Sequence, residues 1–260
     1  MVKLIWLSDL HFLAEGIDLG HDSRARLKAA IAFINQHHAD SAYCVLSGDL
    51  VNRETAEDYS ALAEHLGELR VPLLPMVGNH DDRHMLRSAL PLPEGCMDDF
   101  IQYAVPTPDG LLLCLDTHKI GSPAGELCAE RLAWFEHKLS AAGAGPVYVF
   151  MHHPPMPLGL PMQDMDRLDA GDAFLELAAA HGNVKYLFIG HVHRPITGTA
   201  RGIPFATMRS VLYQAPAPVP QWDWDSFAPA EEAPNLGVLK LDGQGVTLEY
   251  VQFCAYADGT

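Results

Sequence analysis

Five short polar clusters, each placed directly after an apolar run, constrain this chain more than any other feature. They are Asp9-Leu10-His11, Gly48-Asp49-Leu50-Val51-Asn52, Gly78-Asn79-His80-Asp81-Asp82, Met151-His152-His153-Pro154-Pro155 and Gly190-His191-Val192-His193. Polar residues that follow a β-branched or aliphatic run are typical of the carboxyl ends of parallel strands, which open into a shared crevice. We therefore expect the five clusters to converge on one site.

Alternating strand and helix patterns predict a parallel sheet in the first third of the chain. Apolar, β-branched runs predict strands over 2–7, 43–46 and 73–77, and apolar residues at helical spacing predict helices over 23–37, with Ser23 as the cap, and 54–69. This β-α-β-α-β order implies parallel strands joined by right-handed crossovers.

The remainder of the chain predicts further strands and helices and one irregular loop. We expect a short helix after Asp82, a hairpin of strands over 101–105 and 111–116, helices over 126–139 and 172–180, strands over 147–151, 184–189, 196–199, 203–208 and 211–214, and a final hairpin over 237–241 and 246–253. The acidic, Pro-rich segment 215–234 is predicted to be a surface loop packed on Trp222 and Trp224; a substrate lid or a subunit contact is the alternative. The whole pattern indicates one α/β domain over residues 1–260, in which 215–260 forms the irregular loop and the C-terminal hairpin.

Composition excludes several classes of function. The formal net charge of −16 and the absence of a Lys/Arg cluster argue against a nucleic acid polymer as partner. No run approaches the length of a membrane span, and the N-terminus enters a strand pattern at once, so we expect a cytoplasmic protein without a membrane partner. The five widely spaced cysteines predict free thiols rather than disulfides.

The ligand types in the clusters predict a pair of metal ions. Carboxylate, amide and imidazole ligands suit divalent Mn, Fe, Zn or Co, and seven of them are too many for one ion. The seven candidates are Asp9, His11, Asp49, Asn79, His152, His191 and His193, with Asp49 as the natural bridge. Two ions about 3.5 to 4 Å apart can hold a hydroxide and clamp a phosphate for in-line attack. They would also make the pocket of this acidic protein locally cationic.

Other residues in the clusters are candidates for roles beside the metal ions. His80 is expected to face the substrate, where it could stabilise charge or protonate the leaving alkoxide. Asn52, Asp81 and Asp82 are candidates to orient the ligands by hydrogen bonds. From the residues alone, either His152 or His153 could be the ligand, with the other buried behind it.

These motifs, in this order and at these separations, resemble the calcineurin-like metallophosphoesterases, and most closely the class III cyclic nucleotide phosphodiesterases and bacterial glycerophosphodiesterases. The resemblance covers about residues 1–215. It implies a four-layer α/β/β/α sandwich, here with a β-rich C-terminal part, and a homo-oligomer. It favours His152 over His153. It also implies a first metal site of Asp9, His11, Asp49 and His193 and a second of Asp49, Asn79, His152 and His191.

One position departs from the related diesterases, which often carry a substrate-facing histidine where this chain has Tyr213. A tyrosine can still hydrogen-bond a phosphoryl or alcohol oxygen, so Tyr213 is a candidate substrate contact. Purple acid phosphatases place a tyrosine three residues after the bridging aspartate, where this chain has Asn52, which counts against that group.

The resulting hypothesis is a binuclear phosphodiesterase in which a metal-bridging hydroxide attacks a small phosphodiester. The expected substrates are glycerophosphodiesters, 3',5'- or 2',3'-cyclic nucleotides, or both. A phosphomonoesterase or a nucleotide pyrophosphatase would use the same core and is the alternative. A DNA nuclease would need a basic channel, and a non-enzymatic scaffold would be expected to have lost ligands, whereas all seven are present here.

Overall fold

Two β-sheets lie face to face between layers of helices in the computed structural model, which describes residues 1–259. The helices are α1 (Ser23–His37), α2 (Ala56–Leu66), α3 (Arg83–Ala89), α4 (Ala129–Ala142) and α5 (Gly171–His181). The strands are β1 (Val2–Leu7), β2 (Tyr43–Leu46), β3 (Leu73–Pro75), β4 (Tyr103–Thr107), β5 (Gly110–Cys114), β6 (Val147–Met151), β7 (Val184–Ile189), β8 (Thr197–Ala200), β9 (Ile203–Thr207), β10 (Asn235–Leu241) and β11 (Val246–Gln252).

The first sheet has the strand order β11-β10-β1-β2-β3, and the second has the order β4-β5-β6-β7-β9-β8. Strands β1, β2 and β3 are parallel, as are β5, β6, β7 and β9. The C-terminal hairpin β10–β11 joins the first sheet because β10 pairs antiparallel with β1. The strands that precede the five polar clusters are therefore parallel strands, three in the first sheet and two in the second.

Alternation along β6 shows how the layers are held together. Tyr148 and Phe150 belong to the core that contains the first sheet, whereas Val149 and Met151 pack with α4 and α5. In a strand, successive side chains point to opposite faces, so one buried strand supplies both cores. The predicted α/β four-layer class is confirmed.

Trp6 of β1 joins the two sheets close to the polar clusters. Its fully buried ring meets Phe150 and Phe188 of the second sheet edge-on, at centroid distances of 6.2 and 5.5 Å. Its indole nitrogen donates to Ser47 Oγ at 2.8 Å, directly before Gly48 and Asp49. The packing between the sheets is thus linked to the loop that carries the central aspartate.

Most predicted elements are present with shifted ends, and two expectations are wrong. Asp22, not Ser23, caps α1, because its carboxylate accepts from the backbone nitrogens of Arg24 and Ala25, while Ser23 Oγ accepts from Leu13 N. The segment 211–214 forms no strand and makes only one bridge, between Gln214 and Ala230. The Ser210 hydroxyl explains this difference, since it accepts from Leu212 N and Tyr213 N and closes a turn there.

Two further expectations concern cysteines and membranes. All five cysteines are free, and Cys44 and Cys114 are buried. Within residues 1–259, no helix has the length and apolar character needed to cross a bilayer.

The junction made by Trp6 generates a stability prediction. Trp6→Ala should lower the free energy of unfolding by about 3 to 5 kcal/mol, because it removes a fully buried ring shared by both sheets. Trp224→Ala, on a side chain that is 53% exposed, is the matched control and should cost less than about 1 kcal/mol. Urea denaturation measures both values. Equal losses in the two variants would contradict the role given to Trp6.

Candidate metal centre

The five polar clusters meet at the carboxyl ends of strands from both sheets. Asp9 and His11 follow β1, Asp49 follows β2 and Asn79 follows β3, while His152 follows β6 and His191 and His193 follow β7. The structure therefore brings all seven predicted ligands to one place, as the parallel strand order requires.

One group of ligand atoms surrounds the end of β1. The Nε2 atoms of His11 and His193 are 3.1 Å apart, and His193 Nε2 lies 3.3 Å from Asp9 Oδ1. Asp49 Oδ2 lies 3.7 Å from His11 Nε2. These atoms could hold one ion, and they belong to the four residues expected at the first site.

A second group lies on the other side of Asp49. Asn79 Oδ1 is 3.2 Å from His152 Nε2 and 3.0 Å from His191 Nδ1. His152 Nε2 lies 3.3 Å from Asp49 Oδ2. The same carboxylate oxygen therefore faces both groups, which is the position that a bridging ligand requires.

The hydrogen bonds of three imidazole Nδ1 atoms indicate whether cations fit at this site. His152 Nδ1 lies 2.8 Å from Ser47 O, His193 Nδ1 lies 3.1 Å from Tyr213 O, and His11 Nδ1 lies 3.2 Å from Asn52 Oδ1. Because a carbonyl oxygen only accepts, each Nδ1 carries the hydrogen, and each Nε2 lone pair points into the centre. Lone pairs that face one another at these distances suit a cation between them, so the residues fit a pair of divalent ions.

The charges of the buried groups lead to the same conclusion. Burial lowers the pKa of His11 to about 3 and that of His191 to about 3. Burial also acts against a charged His152, but the carboxylates of Asp49 and Asp9 outweigh it and raise the His152 pKa to about 9. Positive charge thus stabilises the buried carboxylates, and a divalent ion can replace the proton on His152.

The backbone at the ligands is unusual. Five of them have positive φ angles that residues other than glycine seldom adopt: Asp9 (55°), His11 (42°), Asp49 (51°), His191 (70°) and His193 (51°). Such strain clusters at functional sites and persists where the surrounding structure enforces it. Sequence patterns did not predict this feature.

Residue 78 has to be glycine because atoms of Asp49 and His152 lie close to its Cα, not because of its φ angle. A Cβ at this position would lie 2.2 Å from Asp49 Oδ1 and 2.7 Å from His152 Nε2. The loop after β3 can therefore pass beside the Asp49 carboxylate only because residue 78 has no side chain.

Asp81 holds two of the site loops together. Its fully buried carboxylate accepts hydrogen bonds from the backbone nitrogens of Leu50 and Gly78 at 3.1 and 2.9 Å and from Tyr59 Oη at 3.1 Å. Asp82, the other candidate in this motif, instead accepts from Met85 N and caps α3. Asn52 contacts His11, as described above.

The remaining candidate residues surround the ligands. His80 lines the cleft, its Nδ1 lies 3.3 Å from Asn52 O, and its backbone nitrogen donates to Asp49 Oδ1 at 2.9 Å. The charge of Asp49 raises the pKa of His80. His153 is buried and directs its ring nitrogens to Thr117 Oγ1 at 2.8 Å and Pro123 O at 3.1 Å, so it lies behind His152. The Tyr213 ring lines the cleft 4.5 Å from the ring of His193.

The cleft above the ligands has a volume of about 320 Å³ and includes residues that no motif indicated. Gln163 and Asp166 come from a single 3₁₀ turn between β6 and α5, and Trp224 comes from the loop 215–234. No sequence signal places Gln163 or Asp166 there, because a short irregular segment carries no periodic pattern. The sequence predicts packing of Trp224 on other aromatic rings, with a substrate lid or a subunit contact as the alternative. The ring packs against Trp222 and Phe227, and it also lines the cleft.

The position of Asp49 generates a prediction about metal content. Asp49→Ala should lower the metal bound by reconstituted protein from about two ions per chain to fewer than one, because both groups lose a shared ligand. Elemental analysis after gel filtration measures this, and circular dichroism checks the fold. The control is Asp172→Ala, whose carboxylate is 91% exposed. Retention of both ions by the Asp49 variant would contradict the shared site.

Comparison with known proteins places the chain in a family. Residues 2–195 match the model of the calcineurin-like phosphoesterase family. A probable cyclic nucleotide phosphodiesterase of Rhodopseudomonas palustris is 39% identical over 217 residues, which cover 82% of this chain and 79% of that protein. A glycerophosphodiester phosphodiesterase of Enterobacter lignolyticus is 34% identical over 218 residues, which cover 82% of this chain and 78% of that protein.

A solved structure supports the fold independently of close sequence similarity. A dimetal phosphatase from Danio rerio superposes with a TM-score of 0.74 at 15% identity, over 98% of this chain and 97% of that one. Together with the match over residues 2–195, these findings show that the chain belongs to the calcineurin-like phosphoesterase family.

Proposed function

We propose that this protein is a metal-dependent phosphodiesterase that hydrolyses small phosphodiesters, namely glycerophosphodiesters, 3',5'- or 2',3'-cyclic nucleotides, or both. The observation that carries the proposal is the Asp49 carboxylate, whose Oδ2 lies 3.7 Å from His11 Nε2 and 3.3 Å from His152 Nε2, between two groups of ligand atoms. The names of the two relatives, at 39% and 34% identity, support the same class of substrate.

The candidate ligands fall into two sets that share Asp49, and this arrangement supports the proposal of a binuclear centre. We propose that Asp9, His11, Asp49 and His193 hold one ion and that Asp49, Asn79, His152 and His191 hold the other. When bound, two divalent ions supply Lewis acidity toward the phosphoryl oxygens and activate a water molecule for attack on phosphorus. The imidazole, carboxylate and amide ligands suit Mn, Fe, Zn or Co.

His80 is the proposed acid for the leaving alcohol. Its Nδ1 lies next to the Asn52 carbonyl at 3.3 Å and donates there, which leaves Nε2 free to carry a second proton. The charge of the nearby Asp49 carboxylate raises the pKa of His80. During hydrolysis water adds to phosphorus and releases one proton, one P–O bond breaks, and the departing alcohol oxygen takes the proton from His80 Nε2. The proton released from water then restores His80.

Other residues hold this arrangement in place. The backbone nitrogen of His80 donates to Asp49 Oδ1, which ties the acid to the bridging ligand. Asp81 anchors the loops after β2 and β3 through Leu50 and Gly78. Ser47 and Tyr213 carbonyls orient His152 and His193, so their Nε2 atoms point inward.

A substrate panel tests the proposed function. Metal-stripped protein reconstituted with Mn should hydrolyse bis(p-nitrophenyl) phosphate, and glycerophosphoethanolamine, cyclic AMP, or both, with higher kcat/KM than p-nitrophenyl phosphate. Turnover of the monoester alone would replace the diesterase with a phosphatase. If the protein hydrolysed none of these compounds, the hypothesis of a non-enzymatic protein that has kept the fold would be favoured.

The role of His80 predicts a dependence on the leaving group. His80→Ala should lower kcat about 100-fold or more with an alkyl diester, but much less with bis(p-nitrophenyl) phosphate, because p-nitrophenolate leaves without protonation. Metal content should not change, since His80 is not among the proposed ligands. His84→Ala, an exposed histidine on α3, is the control. Equal losses with both leaving groups would argue against an acid role.

The expectations of a homo-oligomer and of a cytoplasmic location remain predictions.

A further inference from the structure

Two arginines hold the segment 215–234 at its two ends. Arg194 Nη1 donates to Ala215 O at 2.6 Å, and Arg209 Nη1 donates to Ala233 O at 2.9 Å. Both arginines lie at the carboxyl ends of strands in the second sheet, Arg194 after β7 and Arg209 after β9. The segment itself, all of which the structure describes, forms no helix or strand. Fixing such a loop costs conformational entropy, so the contacts at its ends determine where it lies.

The Glu232 carboxylate lies between the same two arginines. Arg194 Nη1 is 3.5 Å from Glu232 Oε1, and Arg209 Nη2 is 2.5 Å from Oε2. The three side chains are 19%, 22% and 33% exposed for Arg194, Arg209 and Glu232, so water screens these pairs less than it would at an open surface. Without the carboxylate, two guanidinium groups would repel each other. Glu232 therefore keeps both ends of the segment together, and we call these three residues the clamp.

Two aromatic rings of the clamped segment face the cleft. The ring centroid of Tyr213 lies 4.5 Å from that of the candidate ligand His193, that of Phe227 lies 5.9 Å from Tyr213, and that of Trp224 lies 5.7 Å from Phe227. Trp224 lines the main cleft, and Phe227 lines a smaller cavity of about 50 Å³ that His193 also borders. A substrate whose phosphate lies at the candidate ligands would therefore meet these rings with its substituents.

The hydrogen bond of Trp222 fixes the shape of the segment rather than its position over the cleft. Trp222 Nε1 donates to Ala217 O at 3.1 Å, and both residues belong to the segment itself. A backbone bridge from Ala230 N to Gln214 O at 2.9 Å connects the segment to the preceding turn, and the clamp acts next to it. Opening the segment as a lid would break both arginine pairs and both carbonyl contacts. The clamp therefore favours a fixed wall over a moving lid.

We infer that Arg194, Arg209 and Glu232 are positioning residues, which hold Trp224 and Phe227 as a fixed aromatic wall against the alcohol that stays on phosphorus. This inference rests on the proposed phosphodiesterase function and adds residues that determine its specificity. The wall lies beyond the candidate ligands, so it contacts a substituent of the diester and not the phosphate. A large, flat substituent packs on the wall and gains binding energy, whereas a methyl group is too small to cover it.

Two diesters with the same leaving group test the wall. Bis(p-nitrophenyl) phosphate and methyl p-nitrophenyl phosphate both release p-nitrophenolate and differ in the alcohol that stays on phosphorus. Glu232→Gln keeps the length of the side chain and removes its charge. In Mn-reconstituted protein, it should lower kcat/KM for the bis ester about fivefold, mainly by raising KM, and lower that for the methyl ester much less. Equal losses with both esters would show that the clamp supports the metal ligands, and would overturn the inference.

Two further variants connect the clamp to the wall. Glu231→Gln is the matched control, since it removes the same charge from the exposed neighbouring residue, and it should behave as the wild type with both esters. Trp224→Leu should show the same selective loss with the bis ester as Glu232→Gln. The double variant should lose little more than either single one, because both substitutions remove the same contact. Fully additive losses, or an equal loss in the Glu231 variant, would contradict the inference.

Cleavage by chymotrypsin tests the clamp without any substrate. The segment offers this protease Trp222, Trp224 and Phe227, and cleavage requires local opening of the chain. Glu232→Gln should be cut within the segment several-fold faster than the wild type or the Glu231 variant, with the cuts located by mass spectrometry. Equal rates in the three proteins would overturn the clamp. Faster cleavage of the Glu232 variant, with no hydrolysis of either ester by the wild type, would support the clamp and overturn the proposed function instead.

Discussion

The structure depends on one buried carboxylate that faces two groups of ligands. Asp49 lies at the end of β2, is 2% exposed, and has the same oxygen near His11 of the first sheet and His152 of the second. A charge in such a place is costly unless positive charge surrounds it. Metal ions at the two groups would supply that charge, and the sandwich brings the ends of both sheets together around it.

The surroundings of Asp49 are organised to keep it in position. Asp81 ties the loops after β2 and β3, the backbone of His80 donates to Asp49 itself, and Gly78 leaves room for the carboxylate. The left-handed backbone at Asp49 and four other ligands is strained, and the two close-packed cores beneath the loops supply the stability that holds it. These hydrogen-bonded loops contrast with the irregular segments 163–166 and 215–234, which also line the cleft.

The cleft above the candidate ligands is lined by residues from two kinds of segment. The ligands come from the ends of strands, whereas Gln163, Asp166 and Trp224 come from a 3₁₀ turn and a loop that can change without disturbing the sheets. The proposed chemistry therefore depends on the strand ends, whereas the lining of the cleft also depends on the connecting segments. Family membership alone does not define the substrate, since the two relatives carry names for different diesters.

Much of the fold, and the set of residues that meet at the candidate metal centre, could be predicted from the sequence, because local patterns determine both. Apolar runs at β1, β2, β3, β6 and β7 mark strands, and the polar clusters that follow mark their carboxyl ends. Predictions failed where a side chain competed with the backbone pattern, as at Asp22, which caps α1 in place of Ser23, and at Ser210, whose hydroxyl closes a turn where a strand was expected.

The sequence by itself determined which residues can bind metal and that they follow parallel strands. Only the tertiary structure decided that Asp49 lies between two groups and that His153 turns toward Thr117 and Pro123. It also decided that, within residues 1–259, Asp166 and the Oε1 atom of Gln163 have no hydrogen-bond partner. The physical reason is that ligand identity and strand periodicity are local properties of the chain. The sharing of an oxygen, the direction of a ring and the absence of a partner depend on segments that are distant in sequence.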